Sequence, residues 1–206
     1  MDTAAPPQDG SFAPSSPQSR ERHFMTAEHV LKDGRTLLLR APTIGDAELL
    51  MGYPKIVGSE TDFLLCGGNG IDGLTLEGER KWIQDALDAP NTALFLGFVG
   101  GELAALFEVR GQKPARVSHN ASIALSVKRA YWHLGIGSAA MRTMIDFAKG
   151  TGVLRTLSLG VREGNDRAIA LYTRFGFVEI GRHRGRINVR GTYYDELLMD
   201  LPLIGG

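Results

Sequence analysis

Between Ser122 and Phe177 the hydrophobic period alternates between two and three-to-four residues, and this limits the fold more than any other stretch. Ile123, Leu125 and Val127 alternate over Ser122–Val127 and predict a strand. Lys128 to Leu134 bridge into Gly135-Ile136-Gly137-Ser138. Ile136, Ala140, Met141, Met144, Ile145 and Ala148 then form one apolar helical stripe, which Gly150 and Gly152 stop. Leu157, Leu159 and Val161 alternate as a second strand. Asn165 caps a second helix, with Asp166 favourable in its first turn and Ile169, Tyr172 and Phe175 at helical spacing. Gly176 ends that helix, and Phe177-Val178-Glu179-Ile180 resumes as strand. A strand–helix–strand unit demands one parallel pair, here Ser122–Val127 beside Leu154–Val161.

Two glycines at a helix mouth have a physical use. The free N–H groups and the dipole of a helix N-terminus favour an anion, and glycine lets an oxygen-rich ligand approach the backbone. Lys128 and Arg129 add charge just upstream. Two readings stand on these residues: a pyrophosphate site, or a tight turn that needs glycine.

The stretch resembles the GNAT N-acetyltransferase superfamily. The similarity rests on Val127 through Gly137 and on Asn165-Asp166-Arg167-Ala168-Ile169-Ala170-Leu171-Tyr172-Thr173-Arg174-Phe175-Gly176-Phe177, the second block being the more specific. The family usually carries Arg or Gln three residues before the first glycine. Trp132 stands there instead, which leaves the backbone amides to bind phosphate. The resemblance implies an α+β fold: a mixed, mostly antiparallel central sheet with one splayed parallel strand pair and helices on both faces. It implies acetyl-CoA as co-substrate, with the pantetheine pairing to exposed strand backbone in the splay. Leu125 and Val127 would meet the pantetheine and acyl group; His133, Leu134, Gly135, Ile136, Gly137 and Ser138 would wrap the pyrophosphate. Asn165 would bond the pantetheine arm, Ala168 would line the sulfur end, and Tyr172 would be the acid for the leaving thiolate.

The implied reaction moves an acetyl group to a primary amine of a small molecule such as an amino acid, a polyamine or an antibiotic-like compound. Direct attack occurs in a ternary complex. A lysine-type amine has a pKa of ~10.4, so a proton must first be removed. Glu108, near a strand end, is the candidate base; Glu60, Asp195, His119 or an ordered water are alternatives. Tyr172 also has a bland reading, as a core aromatic with its hydroxyl satisfied elsewhere. Two other functions compete: a non-catalytic acyl-CoA-binding or sensing module, and an acetyltransferase acting on a protein amine. A dinucleotide site is disfavoured, because the strand ends well before Gly135 and Arg155-Thr156-Leu157 supply no ribose-binding acid.

Outside this stretch the signals are local. Residues 1–24 carry Pro6, Pro7, Pro14 and Pro17 among Ser, Gln and Gly and read as a disordered tail, with Met25 at the join to a domain over residues 25–206. Glu28–Leu31 and Thr36–Arg40 flank Asp33-Gly34, the signature of a type I′ hairpin. A short helix starts at Thr43, with Asp46 in the capping-box position, and ends at Gly52 and Pro54. Residues 55–74 read as a long glycine-rich loop. Thr75 caps a helix with Trp82, Ile83, Ala86 and Leu87 inward, and a hairpin turns at Gly100-Gly101. Arg182, His183, Arg184, Arg186 and Arg190 read either as an anion-binding acceptor site or as a solvated hairpin. Tyr193–Leu201 closes the chain as a strand.

Composition bears on partners and compartment. Twenty-three basic residues balance 23 acidic ones in 206, which gives no support to charge-driven nucleic-acid binding. No apolar run reaches the ~18 residues of a membrane span, and no metal-ligand pattern stands out. The single cysteine, Cys66, cannot form an internal disulfide, which fits a reducing, cytoplasmic setting. Dimers are common in the superfamily, so a homodimer joins the expectations.

Overall fold

The structure is a computed structural model that describes residues 26–65 and 73–203. The expected tail over residues 1–24, Met25, Cys66 and the glycines at 67, 68 and 70 lie outside the described residues. Eight strands form one sheet in the order β1-β2-β3-β4-β5-β6-β8-β7. They are β1 (Ala27–Val30), β2 (Thr36–Arg40), β3 (Ala93–Val99), β4 (Glu102–Gly111), β5 (Asn120–Val127), β6 (Thr156–Arg162), β7 (Val178–Val189) and β8 (Thr192–Pro202). Every pairing is antiparallel except β5 with β6, the pair that the strand–helix–strand unit required.

Four helices cover the two faces: α1 (Ala47–Glu60), α2 (Leu76–Asp88), α3 (Ile136–Gly150) and α4 (Asp166–Arg174). Alternation along the strands builds a core on each side. Phe95, Phe107 and Val109 face one way and pack with Ile136, Met141, Met144 and Ala148 of α3. Leu96 and Leu103 face the other way, toward Leu50, Tyr53 and Val57 of α1 and Ile83 of α2. Every member of the apolar stripe read along α3 is buried. Tyr53 also donates its hydroxyl hydrogen to the Ser126 carbonyl at 3.0 Å, tying α1 to β5.

Two local expectations change. The first helical turn does begin at Thr43, whose N–H donates to Asp46 Oδ2 at 2.7 Å. The helix then runs through Gly52 and Pro54 to Glu60, so residues 55–60 are helix and not loop. Pro54 removes one helical bond and costs about 3 kcal/mol. Burying Leu50, Tyr53 and Val57 contributes roughly 1.5–3 kcal/mol apiece and outweighs that cost. The β1–β2 connection is a type I turn with a glycine bulge, since Gly34 alone has a positive φ (+85°) and Leu31 N–H bonds Arg35 O at 2.8 Å. The arginine-rich stretch runs along β7, the edge strand of the β7–β8 hairpin, where exposed charge blunts further pairing.

Candidate active site

The parallel pair is short. β5 and β6 pair only from Asn120↔Thr156 to Ser122↔Ser158, then diverge. Each strand continues along its other neighbour. β5 pairs with β4 as far as Ala105↔Val127, and β6 with β8 as far as Arg162↔Glu196. The facing edges of Ile123–Val127 and Leu159–Arg162 are therefore held open by a continuous sheet on both sides. Such an edge offers N–H and C=O groups to an extended, amide-bearing ligand. The Val127 carbonyl is already taken, accepting the Trp132 indole N–H at 2.7 Å.

The head of α3 closes one end of this gap. His133 (φ +66°) and Gly135 (φ +99°) are both left-handed. The loop is anchored by Lys32 N–H bonding Leu134 O at 3.1 Å. Gly135 O accepts from the N–H groups of Ser138 and Ala139 at 3.0 and 3.1 Å, which leaves those of Ile136 and Gly137 heading the helix. Gly135 is glycine for its backbone angle. Gly137 is glycine for close packing, because a Cβ there would stand 3.0 Å from Leu171 Cδ2. The sequence left ligand approach and a tight turn open for these glycines; Gly135 has the backbone angle of the turn, and the helix packing at Gly137 is a third reason that spacing does not signal. Ser138 Oγ accepts from Arg174 Nη2 at 2.7 Å, bringing a cation from the last turn of α4 to the head of α3. Trp132 carries guanidinium groups over its ring as well, Arg167 at 4.2 Å and Arg129 at 5.4 Å. Positive charge thus gathers around the position where the superfamily has Arg or Gln.

Helix α4 packs against the head of α3, with Leu171 beside Gly137. Asn165 Oδ1 accepts from Ala168 N–H at 3.3 Å, so the cap expected from sequence is formed and the side-chain NH₂ remains a donor. Tyr172 lies one turn beyond Ala168, its ring centroid 6.0 Å from that of Phe177. Burial pushes its phenol above the ordinary value, so it is protonated at neutral pH. Its hydroxyl has no hydrogen-bond partner among the described residues.

The opposite sheet face collects the acid groups. Glu108 is buried and pairs in register with Ala124, which is exposed at the gap. Both Glu108 oxygens accept from Arg110, at 2.8 and 2.9 Å. Across the gap, the Glu196 carboxylate of β8 lies over Gly160, in the space a Cβ would fill. Glu196 Oε2 is 3.1 Å from His183 Nδ1. Arg162 ends β6 with its guanidinium between Phe63 (4.4 Å) and Tyr194 (4.0 Å). The other sequence candidates are placed elsewhere. Glu60 Oε2 accepts from the Arg129 N–H at 2.7 Å, Asp195 Oδ1 from the Gly185 N–H at 2.9 Å, and His119 is exposed before the start of β5, at the paired end. Arg182, Arg184 and Arg186 of β7 and Arg190 of the turn after it are exposed and face Glu179, Asp195, Glu196 and Asp62, the solvated alternative of the two readings.

Glu196, Arg162 and Arg174 were missed from sequence. Alternation along Tyr193–Glu196 marks Glu196 as sharing a face with Tyr194, but nothing local says that the face meets the gap. Arg174 sits in the Tyr-x-x-x-Gly-Phe block with no signal that it reaches Ser138.

Comparison with known proteins agrees with this geometry. The profile of the acetyltransferase (GNAT) family matches residues 68–177. N-alpha-acetyltransferase RimI of Mycobacterium tuberculosis is 42% identical over 68 residues, 33% of this chain, and the match spans 40% of RimI. L-amino acid N-acetyltransferase AaaT of Escherichia coli is 25% identical over 121 residues, 59% of this chain and 75% of AaaT. A GNAT-family acetyltransferase from Streptococcus pneumoniae superposes with a TM-score of 0.77 at 30% identity, covering 81% of this chain and 99% of its own. The yncA protein of Salmonella typhimurium, solved with acetyl-CoA, shares the fold with a TM-score of 0.71 at 15% identity, over 82% of this chain and 95% of its own. By its motifs, its splayed β5–β6 pair and the family profile, this chain belongs to the GNAT acetyltransferase family.

Proposed function

We propose that the protein is an N-acetyltransferase that moves the acetyl group of acetyl-CoA to a primary amine of a small molecule. The observation that carries this reading is the gap: β5 and β6 part after Ser122 and Ser158, and the Ile136 and Gly137 amides, without a partner among the described residues, head α3 at its end. Acetyl-CoA supplies the activated carbonyl. The backbone of Leu125 and the N–H of Val127 would hold the pantetheine and acyl group, and His133 to Ser138 the pyrophosphate. Lys32 supports this loop, and Arg174, at Ser138, would add a cation. Asn165 would donate its amide hydrogen to the pantetheine arm, beside Ala168.

Two protons leave the amine nitrogen as the C–N bond forms and the C–S bond breaks. The thiolate takes its proton from Tyr172, a neutral phenol one turn from Ala168 with no competing partner among the described residues, and one of the two amine protons, passed through solvent, restores the phenol. The other goes to a base on the opposite face, the role proposed for Glu108, directly or through water. Exposed Ala124 and Gly160 leave that face open to the amine.

A thiol-release assay with acetyl-CoA and a panel of amino acids, polyamines, aminoglycoside-type amines and peptide N-termini tests the proposal. Turnover of a small amine is expected. Tight CoA binding with no turnover on any amine would instead make the chain a sensing module, and turnover of peptides alone would make it a protein acetyltransferase.

A further inference from the structure

Arg162 and Glu196 are register partners on adjacent antiparallel strands, and their side chains leave the same sheet face. Opposite charges so placed ordinarily bond to each other. Here they do not, and no ion pair joins them among the described residues. The guanidinium is instead drawn between the rings of Phe63 and Tyr194. Its Nε is buried without a hydrogen-bond partner among the described residues. The Glu196 carboxylate leans the other way, over Gly160, which is possible because Gly160 has no Cβ. His183 and Arg186 approach Oε2, at 3.1 and 3.8 Å. Oε1 faces Gly160 and has no hydrogen-bond partner among the described residues. The protein thus holds Arg162 and Glu196 side by side without pairing them to each other, and keeps Oε1 of Glu196 clear of the contacts made by Oε2, at the open end of the β5–β6 gap.

From this arrangement we infer that the acceptor is a free α-amino acid. Its ammonium group docks on Glu196 Oε1 above Gly160, and its carboxylate docks on Arg162. An amino acid carries the two complementary charges on adjacent carbons, and each would satisfy a group the fold leaves waiting. The two rings fix the guanidinium plane, which suits a planar carboxylate. Asp62 helps to hold Phe63 in place, since it bonds Arg190 of the β7–β8 turn at 2.8 and 3.2 Å.

This inference rests on the transferase reading above and is tested with purified full-length protein. Each L-amino acid is compared with its carboxamide as acceptor at saturating acetyl-CoA. The acids should exceed the amides by about 100-fold in kcat/KM, the range for a site whose charged partner is removed. Arg162→Met, which keeps the stem between the rings, should bring that ratio close to one, while CoA affinity and melting temperature hold. Should Arg162→Met lower the melting temperature, Arg162→Lys takes its place and should retain a reduced preference. Glu196→Gln should raise the KM for amino acids about 10-fold or more without altering CoA affinity. Equal turnover of acids and amides, or a preference that Arg162 variants leave unmoved, overturns the inference. So does turnover confined to polyamines, which leaves the transferase reading intact. Absence of turnover with every amine overturns both.

Discussion

Leu171 of α4 seats its Cδ2 3.0 Å from where a Cβ on Gly137 would stand, so the two helices flanking the gap meet at a glycine. Leu125 Cδ2 lies 3.9 Å from the same point. Gly137→Ala should therefore overpack a contact between α3 and α4, costing about 1–3 kcal/mol and weakening acetyl-CoA binding by moving the α3 head. In a Leu171→Ala background the added cost of Gly137→Ala should nearly vanish. Thermal melts of the four proteins in the cycle decide the matter: an equal cost in both backgrounds would mean that Leu171 is not the reason for the glycine.

Tyr172 makes a different kind of prediction, because its hydroxyl is not spoken for. Removing a hydroxyl that has no partner among the described residues strands no protein group, so Tyr172→Phe should be close to neutral in stability. The same change should lower kcat by about 10²-fold if the phenol protonates the leaving thiolate, with little effect on CoA affinity. Calorimetric titration beside steady-state rates measures both. A clear drop in melting temperature with an unchanged kcat would return Tyr172 to the role of core aromatic.

The legible parts of this molecule are those decided by neighbouring residues. Asn165 caps α4, Gly176 ends it, and Leu157, Leu159 and Val161 point into one core, all through interactions within a few residues. Pro54 was misread because the forces that keep α1 helical are distant: Tyr53 reaches Ser126 of β5, and Leu50 packs under β3 and β4. Glycine and proline are local signals, and tertiary burial overrides them here. The acceptor side was the least legible. Glu196 owes its position to β6–β8 register, and Arg162 owes its orientation to Phe63, which comes from the other half of the chain. A face assembled across strands leaves no fixed spacing to read.

Arg174 tests the phosphate end. It is exposed, and its bond to Ser138 joins the last turn of α4 to the first turn of α3. As a surface side chain it should matter little to stability, within about 0.5 kcal/mol. As a cation beside the α3 head it should matter to a pyrophosphate. Arg174→Met should weaken acetyl-CoA binding about 3- to 10-fold, with a smaller salt dependence, and should leave the KM for acetyl-pantetheine, which has no pyrophosphate, unchanged. Equal losses for the two donors would place Arg174 in helix packing and not in phosphate binding.

Asp46 links the fold to pH. Arg40 donates from both terminal nitrogens to its two oxygens, at 2.7 and 2.8 Å, and Thr43 donates from its N–H and hydroxyl at 2.7 and 2.9 Å. The Arg40 bonds, with those from Thr43, hold its carboxyl down at about 2, below the 3.8 of a free side chain. Because the folded value is the lower one, the unfolded chain takes up the proton first as pH falls. The contribution is complete above the unfolded value, near pH 4, and is lost progressively as pH drops through about 2. Its size is about 2 kcal/mol, from the 1.36 kcal/mol that attaches to each pH unit of displacement. Asp46→Asn should therefore lower stability at pH 7 by about this amount or more, and the gap between variant and wild type should narrow as the pH is brought from about 4 to about 2. Urea melts at three pH values measure the gap directly, and a difference that stays constant down to the lowest pH would show that the Asp46 charge contributes nothing to holding the Thr43 turn against β2.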